Sequence, residues 1–152
     1  MNLLIRRRMM MASVEEEPNG FKDSASVGLG STVASMADGI LSITNWASAY
    51  ANRMVLPFKK PIEIKSGDTV RILVKRKSGS MSGVVFAYGI LGSWTAVNNQ
   101  TWGTGATPLD KTATATSNIT ASSLILRQNT AIRTYTNYKV SINIYINGTL
   151  VI

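Results

Sequence analysis

Few residues of this 152-residue chain could do covalent or acid–base chemistry. The sequence contains no cysteine and no histidine, which excludes thiolate nucleophiles, imidazole bases and the usual ligands of zinc, copper and haem. Three of its eight carboxylates form one run at residues 15–17, and the others lack the paired spacing that acid–base catalysis uses: Asp23, Asp38, Glu63, Asp68 and Asp110. We therefore expect a protein that is not an enzyme and that uses no metal or other cofactor.

A loop that carries tryptophans is the best candidate for binding a small ligand. Residues 92–108 are rich in Gly, Ser, Asn and Thr, and they bring two indoles close to three amides. Indole faces stack on sugar rings, and amides form the paired hydrogen bonds that neighbouring hydroxyls require. The candidate glycan contacts are Trp94, Asn98, Asn99, Gln100 and Trp102. The alternative is that both tryptophans only pack against the end of a core.

Most of the excess positive charge lies in one stretch. The chain has 16 basic and 8 acidic side chains, and eight of the basic ones lie between residues 53 and 77. Alternation over residues 69–77 separates an apolar face from a basic one, which predicts a docking face of Arg71, Lys75, Arg76 and Lys77. The lack of interleaved aromatic residues disfavours nucleic acid and favours an acidic protein surface. A rim that only keeps the domain soluble is the alternative.

The first residues form a segment without a strand pattern. Residues 1–17 combine an apolar tip with triplets of Arg, Met and Glu, and a turn signal follows at residues 18–20. Methionine fills irregular grooves and arginine binds carboxylates in pairs of hydrogen bonds, so we predict that residues 1–22 are an attachment arm, extended or partly helical. Its protein-binding residues are Leu3, Leu4, Ile5, Arg6, Arg7, Arg8, Met9, Met10 and Met11. A passive tail is the alternative.

The rest of the chain has the pattern of an all-β domain. We predict a β-sandwich or jelly roll over residues 23–152, with the clearest signal from Pro57 onward. Val140, Ile142, Ile144 and Ile146 alternate strictly, and the following Asn-Gly pair predicts a hairpin. Residues 31–56 alternate only in part, so we expect one or two strands there, although their alanines admit a helix. No apolar run is long enough to span a membrane, and we expect no membrane insertion.

Residues 4–11, Leu-Ile-Arg-Arg-Arg-Met-Met-Met, resemble the start of small virion proteins of phages and prophages from gut Bacteroidales hosts. Residues 62–70 and 144–152 are similar to strands of phage decoration, head-fibre and tail-appendage β-sandwiches. This resemblance implies a structural protein of a tailed-phage virion, a capsid decoration (auxiliary) protein or a head-fibre or tail-appendage subunit. The implied partners are capsid or tail subunits and further copies of the chain. The alternative function is a carbohydrate-binding module that uses the tryptophan loop and a cell-surface glycan.

Overall fold

The computed structural model describes residues 17–24, 33–46, 53–81, 87–91, 100–102, 109–128 and 133–152. This part of the chain contains ten β-strands and no helix, which confirms the predicted all-β class. No described residue belongs to a helix long and apolar enough to cross a membrane. The strands are β1 (Val33–Ala37), β2 (Ile40–Trp46), β3 (Arg53–Ile64), β4 (Thr69–Met81), β5 (Ala87–Leu91), β6 (Gln100–Trp102), β7 (Leu109–Thr114), β8 (Ile119–Gln128), β9 (Arg133–Ile146) and β10 (Thr149–Leu150).

The strands form two antiparallel sheets. Sheet I has the order β1-β2-β9-β4-β7, with β10 paired to β9, and sheet II has the order β3-β8-β5-β6. Along the chain, β2 pairs with β9, β3 with β8, β4 with β7 and β5 with β6. This pairing is that of one long antiparallel ribbon folded over into two layers, which is a jelly roll. The strand pairing therefore confirms the predicted fold in its more specific form.

Both sheets bury their inner faces in one hydrophobic core. On β9 the alternate residues Val140, Ile142 and Ile144 are buried, as the sequence predicts. The most buried side chains come from both layers and include Met36, Leu41, Met54, Leu56, Ile64, Leu124 and Ile144. Because both layers supply side chains to the same core, neither sheet would be stable alone.

Two tight turns connect neighbouring strands of sheet I into hairpins. Asn147 and Gly148 have φ angles of 50° and 82°, and the predicted hairpin between β9 and β10 is confirmed. Asp38 and Gly39 have φ angles of 51° and 71° and join β1 to β2 in the same way. Positive φ at both central residues is the type I′ turn that suits the twist of paired strands. The helix that the alanines of residues 31–56 admit is wrong for the described residues, because β1 and β2 pair there.

Residues 17–24 lie across one open side of the sandwich, and we call them the strap. Lys22 N donates to Pro57 O at 2.8 Å, and Lys59 N donates to Gly20 O at 2.7 Å. Ser24 exchanges two backbone hydrogen bonds of 2.8 and 2.9 Å with Met36. Since β3 and β1 are the edge strands of different sheets, the strap covers an edge of each layer.

The strap also contributes to the core. Phe21 is 4% exposed, and its ring centroid lies 5.5 Å from that of Phe58 on β3. Residues 17–22, which the sequence analysis places in the attachment arm, therefore pack on the sandwich in the folded chain.

Candidate functional site

The predicted sites fall in different parts of the chain. The arm residues Leu3 to Met11 lie outside the described residues, as do Trp94, Asn98 and Asn99. Gln100 and Trp102 lie on β6, an edge strand of sheet II, where they pair with Gly89 and Ala87 of β5. This part of the predicted loop is therefore a strand, because β5 offers its backbone as a partner. The four residues of the predicted basic face all lie on β4.

The basic residues of β4 lie on an irregular part of the strand. Lys75 is opposite Ser141 of β9 and is exposed, whereas the preceding Val74 is buried. Arg76 pairs with Val140 and Ser78 pairs with Lys139, so that Lys77 is an extra residue in β4. Such a β-bulge bends the strand and redirects its side chains. Lys75, Arg76 and Lys77 are all exposed. Arg76 is opposite buried Val140, so it lies on the other face of the sheet from Lys75.

A fourth cation joins them from β9. Lys139 is exposed between two core residues, Tyr138 and Val140, which are 8% and 3% exposed. It therefore lies on the outer face of sheet I, directly opposite Ser78. We call Lys75, Arg76, Lys77 and Lys139 the basic cluster. The sequence analysis missed Lys139, although its outward position follows from the alternation of β9, because only strand pairing places it beside β4.

Arg71 is separate from the basic cluster in its chemistry. Its Nε donates to Asp110 Oδ1 at 2.7 Å and its Nη2 donates to Asp110 Oδ2 at 2.5 Å. The guanidinium carbon lies 5.3 Å from the ring centroid of Tyr145. The hydrogen bond with Arg71 lowers the pKa of Asp110, and the same bond raises the pKa of Arg71. Arg71 is thus neutralised within the fold and stabilises the pairing of β4 with β7.

Among the described residues, the cations of the basic cluster have no carboxylate partner of this kind. Within the described part of the chain, no carboxylate forms an ion pair with Lys75, Lys77 or Lys139. Arg76 donates from Nη1 to Gly79 O at 3.4 Å, a bond within β4 itself. The cluster can therefore offer its charge to an anionic group of another molecule.

The polar residues around the start of β4 form hydrogen bonds with one another and with neighbouring loops. Lys65 N donates to Asp68 Oδ2 at 2.7 Å, and Asn147 Nδ2 donates to Asp68 Oδ1 at 2.8 Å. Thr69 N donates to Asn147 Oδ1 at 2.9 Å, and Ser66 N donates to Asn118 Oδ1 at 2.8 Å. The bonds from Lys65 and Asn147 lower the pKa of Asp68. These groups tie neighbouring loops together, so we assign them to the fold. Among the described residues, no three acidic side chains are grouped to hold a metal ion.

Stability at acid pH is expected to depend on Asp68 and Asp110. Both carboxyls have a folded pKa below the ordinary value of 3.8, so their ionised forms stabilise the fold above that pH. This contribution is lost as the pH falls from 3.8 through the lower folded pKa values. The urea midpoint should therefore drop as the pH is lowered from about 5 to about 2.5, and Asp110→Asn should show a smaller drop. Equal drops in both proteins would contradict the role of Asp110.

No family model and no curated protein sequence matches this chain. Among solved structures, it is similar to a mutant of CBM29-2, a family 29 carbohydrate-binding module whose ligand recognition was probed. The sequence identity is 15%, the TM-score is 0.43, and the alignment covers 87% of this chain and 79% of that chain. The assignment of the jelly roll rests on the strand pairing described above.

Proposed function

We propose that this protein is a non-enzymatic structural subunit of a tailed-phage virion, a decoration, head-fibre or tail-appendage protein held to the particle by its N-terminal arm. The observation that best supports this proposal is the strap, which holds the start of the domain to both sheets. Force applied to the arm would pass to edge strands of both layers.

Side-chain hydrogen bonds also hold the start of the strap, where the arm would begin. Asn19 Nδ2 donates to Lys60 O at 2.9 Å, and Asn19 Oδ1 accepts from Lys60 N and Gly20 N at 2.9 Å each. The Asn19 side chain thus satisfies both backbone groups of Lys60, as a neighbouring strand would. Lys60 Nζ donates to Glu17 O at 3.1 Å. The residues before Glu17 are therefore joined to the sandwich at a defined point beside β3.

The fold is compatible with this function but does not select it. Jelly rolls form both viral capsid domains and lectin domains, and a fold can carry many functions. The composition of residues 1–11 favours attachment to a protein surface, because Met and Leu adapt to irregular grooves and Arg binds carboxylates. We therefore propose neighbouring virion subunits, including further copies of this chain, as the partners.

Purified particles of the virus or lysogen that encodes the chain provide the test. We expect quantitative mass spectrometry to find the full-length protein in many copies per particle. A chain that starts at Glu17 should be lost from the particles yet remain folded in circular dichroism, because it keeps Asn19 and Phe21. A full-length protein found only in the soluble fraction would contradict the proposal. Incorporation of the shortened chain would contradict the role of the arm.

The alternative function is that of a carbohydrate-binding module using Trp94 and Trp102. Under this alternative, removal of residues 1–16 leaves glycan binding intact, whereas Trp94→Ala and Trp102→Ala remove it. A glycan array probed with the full and shortened chains tests the alternative. Equal binding of both chains to one glycan would support it, and no binding by either chain would contradict it.

A further inference from the structure

We propose that the basic cluster of one copy binds the acidic run Glu15, Glu16 and Glu17 of a second copy, so that neighbouring subunits associate head to tail. This inference rests on the proposed function, in which many copies stand side by side on a particle. It assigns one occupant to the cluster and one role to the acidic run, which the attachment arm does not otherwise use.

Charge complementarity is the first argument. The cluster places four exposed cations on two paired strands, where Lys139 lies opposite Ser78 and Lys75 opposite Ser141. The acidic run places three carboxylates on consecutive residues, and no other three acidic residues are consecutive in the chain. Opposite charges arranged in compact groups attract more strongly than scattered ones and fix the register of a contact.

The position of Glu17 indicates that the contact joins two copies. Glu17 is exposed, and its carbonyl accepts from Lys60 on β3, an edge strand of sheet II. The basic cluster lies on β4 and β9, which are inner strands of sheet I. Lys75 and Lys139 lie on the outer face of that sheet, whereas Arg76, opposite buried Val140, is exposed on its other face. The two layers face each other through the core, so the outer face of sheet I points away from the edge that holds Glu17.

The geometry also sets the kind of assembly. The acidic run and the basic cluster are different surfaces. In a row of subunits, one end subunit therefore keeps a free acidic run and the other end subunit keeps a free basic cluster. Such heterologous contacts form rings or open chains. Exposed ion pairs are weak and are screened over about 10 Å at 0.1 M salt. We therefore expect weak, salt-sensitive association in solution, which other contacts reinforce on a particle.

Zero-length cross-linking tests the contact directly. The full-length protein is prepared with natural nitrogen and with nitrogen-15, mixed in equal amounts at low ionic strength, and treated with a carbodiimide that joins carboxylates to amines. We expect mixed-isotope peptides that link Glu15, Glu16 or Glu17 to Lys75, Lys77 or Lys139, with a yield several-fold lower in about 0.5 M salt. Cross-links that carry only one isotope, or that join the run to other lysines, would overturn the proposal.

Charge reversal gives a second test on the same full chain. Reversing the three lysines of the cluster (Lys75→Glu, Lys77→Glu, Lys139→Glu) should abolish the concentration-dependent rise in mass seen by light scattering. Reversing the run (Glu15→Lys, Glu16→Lys, Glu17→Lys) should abolish it as well. The chain that carries both reversals should recover it. A control with Lys65→Glu and Lys111→Glu, both exposed and outside the strap, should behave as the wild type. Loss of association in the control, or no recovery in the double reversal, would overturn the pairing.

The two proposals fail separately. If the protein is found in purified particles but its acidic run gives no mixed-isotope cross-links, the proposed function stands and the proposed contact is wrong.

Discussion

Phe21→Ala is expected to lower the free energy of unfolding by about 3 kcal/mol, a typical loss for a buried phenylalanine. The ring is 4% exposed and lies 5.5 Å from that of Phe58, so its removal leaves a cavity between the strap and β3. Urea denaturation followed by tryptophan fluorescence would measure the change. The strap should also be cut faster than in the wild type in limited proteolysis, because only its hydrogen bonds would then hold it.

Two further substitutions control this experiment. Phe21→Leu keeps most of the apolar volume and should cost less than half as much. Leu150→Ala removes a side chain that is 55% exposed and should change the free energy of unfolding by about 0.5 kcal/mol or less. A loss below about 1 kcal/mol in Phe21→Ala would mean that the strap is not part of the cooperative fold.

Asn19→Ala is expected to lower the free energy of unfolding by about 2 kcal/mol. The substitution removes three hydrogen bonds of 2.9 Å, two of them with the backbone N–H and C=O of Lys60. Partly buried backbone groups that lose their partners cost more than exposed ones, because water replaces the lost bonds poorly. Thermal and urea unfolding of the purified domain would measure the loss.

Asn118→Ala is the matched control for Asn19→Ala. Asn118 is exposed and its side chain accepts one bond, from Ser66 N at 2.8 Å, so its loss should cost about 1 kcal/mol or less. Asn19→Asp keeps the acceptor and loses the donation to Lys60 O, so its cost should lie between those of the wild type and Asn19→Ala. Equal costs for Asn19→Ala and Asn118→Ala would mean that Asn19 does not act as a strand substitute.

The strap links these stability experiments to the proposed function. Phe21→Ala and Asn19→Ala keep every residue of the attachment arm but loosen its junction with the domain. We therefore expect both variants to be incorporated into particles less than the wild type. A peptide of residues 1–16 should compete with the variants for the particle as it competes with the wild-type chain. The truncated chain that starts at Glu17 keeps the strap intact but lacks residues 1–16 of the arm.

The sequence by itself determined the local features of this fold. The alternation of Val70, Ile72 and Val74 on β4, and of Val140, Ile142 and Ile144 on β9, depends only on the two-residue period of a strand. The hairpin at residues 147–148 follows from the positive φ angles that Asn and Gly tolerate. The Asp38-Gly39 pair carries the same kind of local signal for the hairpin of β1 and β2.

Only the tertiary structure decided which distant residues meet. Arg71 and Asp110 are 39 positions apart, and Asn19 and Lys60 are 41 positions apart. Their contacts follow from strand pairing, which side-chain alternation leaves open because many registers bury the same apolar face. The structure therefore separated Arg71 from the basic face, added Lys139 to it, and placed Phe21 in the core. Patterns along the chain act over a few residues, whereas a site built on a sheet depends on which strands the whole core brings together.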